Sequence, residues 1–138
     1  MAVSPLLTEQ MRAALNAHDV AAFVDLFHED YSGERPRHPG GRKIDREEVR
    51  GNWIEMISDV PDLRVEIPAA LQDGDTIWSE WWVYGTARSG AMLELRGVII
   101  FGVQAGRVAW SRTYLEPIEQ EGKPLPGFIE PLTPVHLE

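Results

Sequence analysis

Tyr31, Glu34 and Arg35 crowd into one short segment, YSGER, and their side chains are of types that could work on a small organic molecule. A phenol donates a hydrogen bond and polarises a carbonyl. A carboxylate, Glu34 or the nearby Asp30, becomes a base near neutral pH where burial raises its pKa. A guanidinium grips a carboxylate or phosphate with two parallel hydrogen bonds. Each residue also has a plainer reading. Tyr31 suits a core position with a satisfied hydroxyl, Glu34 a surface, and Arg35 a solvated loop beside Arg37 and Arg42. Tyr31 and Arg35 share a parity, so in a strand they point the same way.

The other chemical residue types narrow the field. His18 falls in a turn, His38 in a basic loop, and His28 beside Glu29 and Asp30. No H-x-x-x-H or equivalent ligand pair accompanies them, so no metal is expected. There is no phosphate-binding glycine loop, dinucleotide fingerprint or nucleophile elbow, and no cofactor is expected. The chain lacks cysteine, which excludes disulfides, thiol catalysis and thiolate metal sites and suits a reducing, cytoplasmic setting. A net charge of −9 argues against a nucleic-acid groove. No apolar run reaches the roughly 20 residues that span a bilayer, so no membrane partner is expected. The N-terminus has no basic segment leading into an apolar stretch, which argues against a secretory signal.

The elements around YSGER can be read from periodicity. Ser4-Pro5 suits a helix opening, with Ser4 as cap and Pro5 in the first helical position. Leu7, Met11, Ala14 and Leu15 follow at helical spacing. Asp19 caps a second helix, with Val20, Phe23, Val24 and Phe27 on one face. His28 to Gly33 reads as a short strand, and Arg35 to Lys43 as a Pro- and Gly-rich surface loop that could serve as a lid. Asp45 and Glu48 form a capping box for a third helix, with Val49, Trp53, Met56 and Ile57 inward. Leu63 to Ile67 is a strand, and Pro68 to Asp75 a connection. Gly74 to Glu116 then holds three long strands and four of the five tryptophans. Turns are expected at Arg88-Ser89-Gly90 and Gln104-Ala105-Gly106. Residues 1–121 form one α+β domain, and 122–138 a Pro-rich tail.

Several short motifs share an order and spacing. They are Leu15-Asn16-Ala17-His18-Asp19, Leu26-Phe27-His28-Glu29-Asp30, Pro61-Asp62-Leu63, Gly85-Thr86, Arg96-Gly97-Val98, Gly106-Arg107-Val108 and Tyr114-Leu115-Glu116. In these the chain resembles the SnoaL-like group of the nuclear transport factor 2-like superfamily. The resemblance implies a cone-shaped α+β fold. Three N-terminal helices pack on a strongly curved antiparallel or mixed sheet that wraps the third helix and leaves a pocket open at one end. Relatives include polyketide cyclases, limonene epoxide hydrolase, ketosteroid isomerase and non-catalytic binders, so the fold alone does not name an activity.

Known catalytic sets of those relatives map poorly here. The ketosteroid isomerase base falls on Arg35, within FHEDYSGERP, its tyrosine on Met11 and its strand acid on Ile99. The resemblance thereby puts Arg35 at the pocket mouth. The epoxide hydrolase resembles this chain in Glu80, Gly106 and Tyr114, but its arginine falls on Trp81 and its aspartates on Val83 and Thr113. The cyclase acid also falls on Thr113, and a threonine is no general acid near neutral pH.

This alignment places Ser79, Trp81, Val83, Ser111, Thr113 and Leu115 toward the pocket. Trp53, Met56 and Ile99 join Trp81, Val83 and Thr113 as expected lining residues, with Trp53 and Trp81 an aromatic wall for a flat ligand. The opposite face carries Trp78, Glu80, Trp82, Tyr84, Trp110, Arg112 and Tyr114, an aromatic patch expected to form a homodimer interface, with Glu80 and Arg112 able to pair. A slip of one residue would instead turn Arg112 or Tyr114 inward. Three functions follow. One is a cyclase-, isomerase- or hydrolase-type enzyme using Tyr31, Glu34 and Arg35. The second is a non-catalytic small-molecule binder. The third is a structural module, if Trp53, Trp81 and Ile99 fill the cone.

Overall fold

The computed structural model describes residues 5–118; the Pro-rich segment 122–138 and Ser4 lie outside them. Helix α1 spans Leu6–Asn16 and α2 Val20–Val24. Strand β1 is Phe27–Glu34, β2 Lys43–Asp45, α3 Arg46–Asp59, β3 Arg64–Asp73, β4 Thr76–Thr86, β5 Met92–Gln104 and β6 Arg107–Pro117. Two helices, strands β1 and β2, the third helix and then four strands follow in turn, and all six strands form one sheet, an α+β arrangement. The sheet is ordered β2-β1-β6-β5-β4-β3 and is curved and open. Every neighbouring pair is antiparallel except β1 and β6, which run parallel.

Local chemistry accounts for most of these elements. Asp45 accepts from the Glu48 backbone at 2.9 Å while the Glu48 side chain accepts from the Asp45 backbone at 3.1 Å, closing the capping box of α3. Asp19 accepts from Ala22 N at 3.0 Å and opens α2. The β5–β6 turn puts both Ala105 (φ 53°) and Gly106 (φ 77°) in the left-handed region, as a two-residue hairpin loop that follows the strand twist requires.

Four expectations need correction. Pro5 is the cap of α1 rather than its first helical residue, with φ −57° and ψ 142°. Helix α2 is one turn only, and Phe27 belongs to β1. The basic loop ends in a short strand, β2, paired with Ser32–Glu34. Finally, β3 does not stop at Ile67. It runs through Pro68, because it is an edge strand with a register shift between Glu66 and Ala69, the two circumstances in which a sheet tolerates proline.

The core lies between the helices and the concave face of the sheet. Met11 and Leu15 of α1, Phe23 and Val24 of α2, and Leu63, Val65, Ile77, Trp81, Val83, Phe101 and Val108 are buried there. The α1–α2 corner is sewn to the sheet edge. Asn16 donates to Val65 O at 3.0 Å and accepts from Val65 N at 2.7 Å, and His18 Nε2 lies 2.9 Å from Leu63 O. No helix among the described residues is long and apolar enough to cross a membrane.

Candidate functional site

The parallel pairing of β1 with β6 sets Gly33 beside Ser111. Tyr31, two residues earlier on the same face, is 5% exposed and lies edge-on to Phe27, with ring centroids 4.9 Å apart. Its phenol reaches across to Ser111, Oη to Oγ at 2.6 Å. Glycine at position 33 leaves room for this, because a Cβ there would overlap the Tyr31 hydroxyl and displace it. Burial raises the Tyr31 pKa above its usual value, and the Ser111 hydrogen bond offsets part of that rise. Tyr31 therefore stays a neutral phenol across the physiological range.

This hydroxyl pair borders a cavity of about 530 Å³. Aromatic and aliphatic groups form most of its wall: Phe23, Phe27 and Val49, then Trp53 and Met56 of α3, and Trp81, Ile99 and Phe101 of the sheet. Trp81 offers only its ring, since its Nε1 donates to Ser79 Oγ at 2.8 Å and Ser79 in turn donates to Ile99 O at 2.7 Å. Trp53 is held edge-on by Phe23, with centroids 5.6 Å apart. Exposed polar residues ring the opening. Arg35 and Arg42 stand on the β1–β2 side, and Asn52, Glu55 and Asp59 on α3. Open space thus remains beside Trp53, Trp81 and Ile99.

Most of the expected site residues gather here. Tyr31, Glu34, Arg35, Trp53, Met56, Trp81, Ile99 and Thr113 all border the cavity. Val83 does not; it is fully buried in the core with Val65, its neighbour on β3. The Glu34 carboxylate is drawn toward Arg112, 3.9 Å away and on the convex face, which leaves it poorly aimed as a base for the interior. Asp30, His28 and His38 do not line the space. His28 Nδ1 accepts from Asp30 N at 3.1 Å, and no group of three His, Cys, Asp or Glu residues among those described could hold a metal ion. Alternation places Ser111 on the inner face but assigns it no role. Its contact with Tyr31 depends on the β1–β6 register, which no local sequence pattern reveals.

Burial alternates along β4; in β6, beyond an irregularity between Val108 and Trp110, Ser111 is buried and Arg112 exposed. Ser79, Trp81, Val83 and Ser111 are buried on the concave side. Trp78, Glu80, Trp82, Tyr84, Trp110, Arg112 and Tyr114 alternate with the inward residues of β4 and β6 on the convex side. Trp78 is 51% exposed. Trp82 donates to Glu94 at 2.8 Å and carries Arg96 over its ring at 4.1 Å, while Tyr84 donates to Glu66 at 3.2 Å. Glu80 and Arg112 do not pair within the chain; Arg112 lies over Trp110 at 4.7 Å and reaches Glu34 instead.

Known proteins share this architecture. The family model described as the SnoaL-like domain matches residues 8–110. AclR of Streptomyces galilaeus, a proposed hydroxylase, superposes with a TM-score of 0.72 at 15% identity over 80% of this chain and 73% of that one. IdmH of Streptomyces antibioticus, a proposed polyketide cyclase, gives 0.69 at 22% identity over 80% and 89%. A Mycobacterium tuberculosis protein in complex with estradiol-17β-hemisuccinate gives 0.67 at 21% identity over 79% and 90%. At these identities the solved structures speak for the fold alone. None of the curated proteins matches the chain by sequence.

Proposed function

Because the chain belongs to the SnoaL-like domain family, whose shared fold leaves the chemistry to the lining residues, we propose that its cavity binds one small, flat, oxygen-bearing organic molecule. The observation that carries this reading is the Tyr31–Ser111 pair in an otherwise largely apolar interior. Two hydroxyls bonded to each other use one proton between them. Whichever donates, the other keeps a free O–H and lone pairs for a ligand. A carbonyl, phenol or enol oxygen of a ring compound meets both needs. A buried neutral phenol would also polarise a bound ketone and stabilise its enol, which is the route by which this site would serve an isomerase- or cyclase-type reaction. Of the carboxylates that border the cavity, Glu55 and Asp59 are exposed and Glu34 lies toward Arg112, which favours binding as the primary role.

One experiment weighs both roles. Flat phenols and cyclic ketones are screened by thermal shift against wild type and Tyr31→Phe, and the ketones that bind are followed by NMR for exchange of their α-protons in heavy water. A ligand at 100 times its Kd should stabilise wild type by about 2.7 kcal/mol, and Tyr31→Phe should lose most of that gain. Exchange catalysed by wild type and not by the variant assigns chemistry as well. Binding that is indifferent to Tyr31→Phe would sink the proposed contact.

A further inference from the structure

Arg35 differs from the other arginines near the cavity opening. Arg42 is held by Glu48 at 2.8 Å and Arg37 by Glu116 at 3.2 Å. The Arg35 guanidinium makes no ion pair or hydrogen bond among the described residues, although its backbone is fixed. Its N–H donates to Arg42 O at 3.2 Å, and its carbonyl accepts from His38 N at 3.0 Å. An exposed cation on an anchored backbone thus borders a largely apolar cavity whose hydroxyl pair lies deeper. Arg35 is two residues beyond Gly33, the register partner of Ser111. At strand rise the Arg35 backbone is about 7 Å beyond the level of Gly33, roughly the length of a fused two-ring system.

We propose that the ligand is a two-ended molecule: a ring oxygen sits on Tyr31–Ser111 and an acidic group, a carboxylate, sits at the mouth on Arg35. This rests on the binding reading above and adds the ligand's class and direction of entry. The neutral end enters first, because Tyr31 and Ser111 offer hydroxyls and no charge to neutralise an anion. Glu55 and Asp59 border the same opening from α3 and repel an acid, so they confine it to the Arg35 side.

The test uses four compounds of one shape, with Kd measured by calorimetry: 2-naphthol, 6-hydroxy-2-naphthoic acid, its amide, and the corresponding aminomethyl naphthol. Wild type should bind the acid about fivefold tighter than the amide, an advantage of the size an exposed ion pair gives. The advantage should shrink in high salt. Arg35→Gln should abolish it, whereas Arg107→Gln, the same charge change at the distant β5–β6 turn, should not. Glu55→Gln and Asp59→Asn should tighten the acid further. Equal affinity for acid and amide, tighter binding of the amine, or an Arg35→Gln protein that keeps the preference would each overturn the proposal while leaving the cavity a binding site. If not even 2-naphthol binds, the binding reading falls and this proposal with it.

Discussion

Tyr31 is the residue on which the site turns, and its ionisation can be followed directly. Burial holds its folded-state pKa above that of the unfolded chain. A raised acid pKa means that the native state keeps its proton longer. The stabilisation is therefore complete below the unfolded tyrosine pKa, about 10, and fades as pH rises from there through the folded value. We expect the alkaline limb of a stability–pH curve to be shallower in Tyr31→Phe. In an ultraviolet titration the absorbance lost in Tyr31→Phe relative to wild type should appear above the usual tyrosine range. A difference centred at the usual value would show the Tyr31 phenol to be solvated. The residue scale is also where sequence reading reached furthest and then stopped. YSGER contributes Tyr31, Gly33, Glu34 and Arg35 to the cavity wall, but of the inward residues of SEWWV only Trp81 reaches it. The partner of Tyr31 lies 80 positions away, and the pairing is a property of the register, not of either segment. Glu34 shows the converse. Its type suits a base, but its neighbour Arg112 draws it to the convex side.

Among the elements, α3 matters most to the site, because it presents Val49, Trp53 and Met56 to the cavity and Glu55 and Asp59 to its mouth. Its start is fixed by the Asp45–Glu48 box, which satisfies two backbone N–H groups that the helix itself cannot. Asp45→Ala should cost about 1 kcal/mol in urea unfolding. Loss of less than a few tenths would mean that packing of Trp53 and Val49 alone seats the helix. The box was legible because it is written in adjacent residues, and so were the three long strands with their turns. The extent of β3 was not. Pro68 signals an end, and only the strand's place at the sheet edge removes that signal's force. Strand β2 was hidden for a similar reason. Its three residues pair with β1 after a loop rich in Pro and Gly, and nothing in so short a stretch sets a period.

On the scale of the whole molecule, the convex face is where large apolar side chains stay exposed. Leu71 and Trp78 lie opposite each other on β3 and β4 and are 56% and 51% exposed, with Val98 of β5 at 38%. Glu66, Glu80 and Glu94 share this side with Arg96 and Arg112, so a second copy turned by a two-fold axis would meet opposite charges around an apolar centre. We propose a homodimer through this face. Sedimentation should give twice the chain mass for wild type and the single-chain mass for Trp78→Glu with an unchanged circular dichroism spectrum. A wild-type monomer at micromolar concentration would reject the idea. The free edge at β3 leads elsewhere. There the amide of Asn16 occupies both backbone groups of Val65 as a neighbouring strand would, His18 takes the Leu63 carbonyl, and Pro68 has no N–H to offer. A chain with this much exposed sheet would ordinarily be a template for fibril growth. Here two side chains and an imino acid stand where the next strand would add, so copies of this protein that meet are steered away from polymerising edge to edge.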